Sequence, residues 1–483
     1  MSEDLRTEPP RLTMTVKILY SLGGFAVVAK TPLLALLLLF YNQIIGLRAE
    51  WVSLALAIAL VVDAVWDPVF GQLSDNFRSR WGRRHPFMYA CALPFAVCWI
   101  LLFHPPEGWS QVGLFWWLLV LIIACRTFIS LYEISATALN PELSRDYHER
   151  TQLWSFRYVV GALAGVGINW MGYAVFLRKD ALHPVGQLNQ AGYGPFAITT
   201  AIISVAAIMT AALGTHGLIP TLYQPPPRPK GLKFLFQEIM TSVFNRDFAA
   251  LIMSGVFSGI VSGVTVGLGI YLNTYFWELP SEKLATLGLA GLVSVPAAGL
   301  FGPWLSRRIG KKAATMSLMT GTLVIGQAPL GLKLLGLMPP NGTDLLFWLL
   351  FGDAVLTSLC AGGALLLTYS MMSDVVEYAE LRTGRRSEGL MMSSVTTLQK
   401  VLSGIATIIP GLILVRVGFP DKAVPGQVPQ EVLIHLVHLY LPTIAAMSVL
   451  SILCVRFYRI TQEGHEAVNA QLRERGKSST EAA

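Results

Sequence analysis

Asp63 and Asp67 stand four residues apart inside an otherwise apolar run, residues 51–71. At that spacing both carboxylates share one face of a helix. Asp63 is about 13 residues from the start of the run, or about 20 Å along a helix, which is near the middle of a bilayer. Two carboxylates this close repel unless a cation or a proton sits between them. The pattern therefore suits a site for a coupling ion, Na⁺ or H⁺. A structural salt bridge from Lys400 or Arg157 is the alternative use of the same charges. Each ionisable group at such depth costs roughly 2.5–3.5 kcal/mol on insertion scales, so each needs a reason. Glu133 and Asp353 are the other acids within apolar runs, and Lys30, Arg126, Arg157 and Lys400 are the bases. Arg126, Ser130 and Glu133 fall on one helical face, where Arg126 and Glu133 could also form an intrahelical pair. Lys30 falls well inside its run, a depth that suits a cavity better than lipid, Lys400 lies near the midplane of its own, and Arg157 follows the cytoplasmic-side Arg150 by seven residues.

The elements that must hold these residues follow from composition. The chain has 483 residues, of which 53% are hydrophobic and 13% charged, and its mean hydropathy is +0.55. These values predict an all-α polytopic membrane protein. The net charge of +7 reflects basic loops, so nucleic-acid binding is not expected. Five cysteines lie in apolar runs without CxxC or metal-type spacing and read as small core residues. No HExxH or nucleophile–base set points to an enzyme, and no cofactor beyond a coupling ion is implied. The first apolar run is too long for the core of a cleavable signal and is expected to stay as an anchor.

Twelve runs are long enough to span a bilayer. The longest polar break between them contains YQPPPRPKG, followed by an amphipathic piece from Lys233 to Phe248. The expected organisation is a six-helix half over 1–220, a linker over 221–247, a second half over 248–457 and a tail over 458–483. Roughly 25 of the 36 basic residues fall on one side of this arrangement, so both termini are expected in the cytoplasm of a bacterial inner membrane. The halves echo each other: Gly71-Gln-Leu-Ser-Asp75 through Arg80, Gly82, Arg83 and Arg84 closes the second helix, and Gly302 to Lys312 closes the eighth. Parallel six-helix halves are the plan of major-facilitator transporters.

The chain resembles the glycoside–pentoside–hexuronide:cation symporters, the melibiose-permease branch of the major facilitator superfamily. The resemblance rests on Asp63-Ala-Val-Trp-Asp67-Pro68, on Asp75 with Arg78-Ser-Arg80-Trp-Gly82-Arg83-Arg84-His-Pro86-Phe87, on Pro141 to Arg150 and on Asp374 to Gly389. It implies that Asp63, Asp67 and Ser130 bind the cation, with the two aspartates as the metal ligands if that cation is Na⁺. It implies that Glu133 and Arg157 line the solute cavity and that Lys400, near the cation site, joins them in binding the solute. Asp75, Arg80, Gly82, Arg83 and Arg84 would form a conformational hinge. Departures from the pattern are Trp66, where an Asn is common, Val27 in place of a first-helix acid, and Thr137 in place of a sugar-stacking aromatic. A sugar or glycoside is the substrate the resemblance implies. Lys30 and Arg126 are further candidate solute-binding residues outside its sugar pattern, and with the lost stacking position at Thr137 they keep open an amphipathic lipid such as a lysophospholipid. The working unit is expected to be a monomer in the lipid bilayer.

Overall fold

The computed structural model describes residues 12–144, 147–180, 183–222, 246–383, 404 and 406–460. Their regular structure is helical, and among them ten helices are long and apolar enough to cross a membrane. Within the first half these are α1 (Met14–Ile45), α2 (Ala49–Asn76), α3 (His85–Leu102), α4 (Gln111–Leu143), α5 (Tyr147–Met171) and α6 (Tyr193–His216). The second half has α7 (Arg246–Tyr271), α8 (Ser281–Ile309), α9 (Lys311–Leu334), α10 (Asp344–Thr383), α11 (Ile408–Arg416) and α12 (Gln430–Arg456). The expected ninth span is the 24-residue α9, whose apolar run is interrupted by Thr, Gly, Gln and Lys. Most of the expected eleventh span lies outside the described residues, as do Lys400, most of the amphipathic linker piece and the tail from residue 461. The last residues assigned to that linker piece, Arg246–Phe248, open α7 instead.

The chain forms two compact units, one built on residues up to Pro229 with Pro280–Ala285, the other on Lys230–Leu279 and the residues from Thr286. In the first unit α4 packs on both α2 and α3, and α1 packs on α5 and α6. In the second, α10 packs on α8 and α9, and α7 on α12.

α1 is not a continuous rod. It breaks at Gly23 and again at Lys30, just before Thr31-Pro32, and ends in a π-helical turn, Phe40–Ile45. Proline supplies no amide to the ladder, so the second break is written in the sequence. At the first break, packing demands a glycine. A Cβ on Gly23 would lie 2.1 Å from Tyr132 Oη, whose hydroxyl donates to the Gly23 carbonyl at 3.1 Å. α7 ends in a π-helical turn as well, Leu272–Phe276, so the opening helices of the two units finish alike.

Candidate coupling-ion and solute site

α2 carries Asp63 and Asp67 through its middle, and Pro68 lies within the same helix. Pro68 has no amide for the Ala64 carbonyl, which leaves one more oxygen uncommitted along this stretch of backbone. Asp63 is 4% exposed. Its Oδ1 accepts from Ser130 Oγ on α4 at 2.5 Å, and its Oδ2 lies 3.5 Å from Arg126 Nη1. Ser130 and Arg126 reach the same carboxylate because they are one turn apart on α4. Asp67, half-buried, also lies within electrostatic range of Arg126. Two carboxylates, a guanidinium and a hydroxyl thus share one small region between α2 and α4.

Arg126 is thus an ion-pair partner of Asp63 among the described residues, and it does not pair with Glu133 of its own helix. Helical spacing places side chains on a face, but it does not say which neighbouring helix that face meets. Arg126, a candidate solute residue by sequence, lies beside Asp63. Lys30, at the break in α1, lies within electrostatic range of Cys125, the residue beside Arg126.

Arg157 occupies a different layer. It is 7% exposed, and its guanidinium stands 5.5 Å from the centre of the Tyr20 ring. Tyr20 in turn donates to the Ala136 carbonyl at 2.8 Å, which ties α1 to α4 beside Arg157. Arg157 Nη1 is buried and finds no hydrogen-bond partner among the described residues. Glu133 is half-buried, and no described basic side chain comes within ion-pair distance of it. The structure thus brings Asp63, Asp67, Ser130 and Arg126 together and sets Arg157 apart, among tyrosines. Tyr20 and Tyr132 were not picked from the sequence. Tyrosines adjoining small-residue helix contacts were the available signal. Thr137 gives its hydroxyl to its own helix, the Glu133 carbonyl at 2.7 Å, and Trp66 stacks on Phe70 at 5.3 Å.

The basic turn after α2 is held by one carboxylate from α4. Glu142 Oε1 accepts from Arg83 Nη2 at 2.7 Å and from Arg84 Nε at 3.1 Å. Arg84 reaches back to Asp75 at 2.5 Å and to Ser74 Oγ at 2.7 Å. Gly82 has φ +72°, where a side chain would be strained, and a Cβ there would also press on Ile219 at 3.3 Å. Arg80 stands apart, over the Trp81 ring at 5.3 Å. The second unit repeats the device: Gly310 has φ +82°, and Lys311 pairs with Asp374 of α10 at 2.7 Å.

Residues 19–462 match the family described as MFS/sugar transport protein. The chain belongs to this family. It is a multi-pass membrane transporter of the major facilitator superfamily, not an enzyme. It is 27% identical to the putative glycoside/cation symporter YagG of Escherichia coli (strain K12), over 96% of this chain and 95% of that protein. With the isoprimeverose transporter of Lactiplantibacillus pentosus it shares 26% identity over 83% of this chain and 80% of that one. The inward open conformation of the xylose transporter XylE from E. coli has the same fold, with a TM-score of 0.63 at 14% identity, covering 95% of this chain and 99% of that one.

Proposed function

We propose that this protein is a symporter that couples inward flow of Na⁺ or H⁺ to uptake of a sugar or glycoside by alternating access. The observation that carries the reading is the Asp63 carboxylate, buried between Ser130 and Arg126 with Asp67 one turn away. Charge-assisted hydrogen bonds are about 2.7–2.9 Å. At 3.5 Å, Arg126 holds Asp63 only loosely, so a cation entering between the carboxylates displaces it. Once released, Arg126 is one turn from Ser130 and two turns from Glu133 on α4, and it can turn to a solute hydroxyl. Cation binding then prepares solute binding. Glu133, Arg157 and Lys30 complete the solute set, and Lys400 joins Asp63 and Asp67 by family resemblance. The printed names of the two curated relatives, a glycoside/cation symporter and an isoprimeverose transporter, favour a sugar. The Asp63, Asp67, Ser130 and Arg126 group belongs to one chain, which suits a working monomer. The distribution of Lys and Arg favours cytoplasmic termini.

The rival reading is an amphipathic lipid such as a lysophospholipid, which rests on Lys30, Arg126 and the missing sugar-stacking aromatic at Thr137. The test is uptake of labelled pentosides, hexosides and lysophosphatidylcholine into proteoliposomes under separate Na⁺ and proton gradients. The account expects saturable glycoside uptake driven by one of the two gradients. Gradient-driven lysolipid flux with no glycoside flux would overturn it.

A further inference from the structure

Asp353, an acid within an apolar run, takes no part in the site between α2 and α4. It lies nine residues into α10, or about 13 Å along the helix, close to the middle of a hydrocarbon core about 30 Å thick. It is half-buried, and no basic side chain comes within ion-pair distance of it among the described residues. The helices packed on α10 keep their charges to their first and last turns: Arg246 and Asp247 on α7, Glu282, Lys283, Arg307 and Arg308 on α8, and Lys311, Lys312 and Lys333 on α9. Of these, Lys333 donates to the Pro339 carbonyl and to Asn341 Oδ1, both at 3.0 Å.

The groups that gather near Asp353 are neutral. Tyr440 of α12 is buried, within electrostatic range of Asp353 and within reach of Gln327 of α9. Its hydroxyl donates to Thr265 Oγ1 on α7 at 3.4 Å. His435 and His438 of α12 are exposed. Thr357 is one turn beyond Asp353, where α10 comes close to α9: a Cβ on Gly326 would lie 3.3 Å from Thr357 Oγ1. Gln327 Oε1 and Thr357 Oγ1 are buried and find no hydrogen-bond partner among the described residues. An ionised carboxylate only accepts hydrogen bonds and gives this acceptor-rich group no donor, whereas a protonated carboxyl brings an O–H. A carboxylate at this depth with no cation beside it is also unfavourable.

We propose that Asp353 is a proton-binding site of the second unit, separate from the Asp63 and Asp67 site of the first. The carboxylate takes its proton from hydronium and returns it to water, so no other reactant is needed. Full-length protein in phosphatidylcholine nanodiscs is titrated with acid and base while the infrared carbonyl stretch of protonated carboxyls is followed. Asp353→Asn should lose a titrating band that wild type and Asp63→Asn both show, and Asp353→Glu should keep it at a shifted frequency. Wild type alone covers the case in which Asp353→Asn fails to fold. Dicyclohexylcarbodiimide, which reacts with protonated carboxyls in apolar surroundings, should label Asp353, with the site located by mass spectrometry. Labelling should fall about tenfold per pH unit once the carboxyl ionises. A titrating band unchanged in Asp353→Asn, no labelling of Asp353 at any pH, or labelling suppressed by Na⁺ at fixed pH would overturn the proposal.

Discussion

Asp63 has neighbours of opposite effect. Ser130 offers it a short hydrogen bond without charge, whereas Arg126 offers charge at 3.5 Å without a tight bond. An ion entering this site keeps the hydroxyl and competes with the guanidinium. Ser130→Ala therefore weakens the ion site, whereas Ser130→Thr preserves the donor. Hydrogen bonds to charged groups contribute about 1.5–3 kcal/mol, so Ser130→Ala should raise the cation concentration for half-maximal uptake by about tenfold. An unchanged cation dependence in Ser130→Ala would remove Ser130 from the ion site. The i, i+4 spacing made the shared face of Arg126 and Ser130 readable from the sequence. Their meeting with Asp63 was not, because it depends on how α4 is rotated against α2.

At the scale of elements, the ends of the helices are tied by carboxylates that the sequence offers only as motif letters. Glu142 holds the turn after α2, Asp374 holds the turn after α8, and Glu149 joins the start of α5 to the start of α1. Glu149 accepts from Lys17 Nζ at 2.9 Å, from the Leu12 amide at 3.0 Å and from Ser144 Oγ at 2.6 Å. Burial pushes its carboxyl up, but the Lys17 and Ser144 bonds, the Lys17 charge and the Leu12 amide outweigh that and hold it below the usual carboxylate range. A depressed folded-state value gives stability that is fully present above the unfolded value, about 4.3 for Glu. That stability is lost as pH falls through the lower folded value. Glu149→Gln should accordingly lower the melting temperature by roughly 2–4 °C at neutral pH, and the gap from wild type should close as pH falls below about 4. A gap that persists unchanged in acid would mean that the carboxylate charge is not what joins α5 to α1.

For the molecule as a whole, the two-unit, all-helical plan was legible from hydropathy, from the bias of Lys and Arg and from the repeat of the basic turns. These are properties of sequence spacing and of the bilayer as a solvent. The glycine at each turn, Gly82 and Gly310, was legible as well, since a left-handed backbone needs it. The course of α1 was half legible: Pro32 announces the break at Lys30, but the need for glycine at the Gly23 break comes from Tyr132 of α4, which occupies the space a side chain would take. The same limit applies to charge. Composition shows that acids and bases are buried in comparable number, but only packing shows that Arg126 belongs to Asp63 and that Arg157 stands among tyrosines.

The central claim is that cation binding at Asp63 releases Arg126 and so couples ion to solute. Asp63→Asn removes the charge that holds Arg126 and the charge that holds the cation. The direct measurement compares gradient-driven accumulation with gradient-free solute exchange for wild type and Asp63→Asn in the same proteoliposomes. The account predicts that Asp63→Asn loses accumulation but keeps exchange, now independent of added cation. Accumulation at the wild-type level in Asp63→Asn, or exchange that still requires the cation, would contradict it.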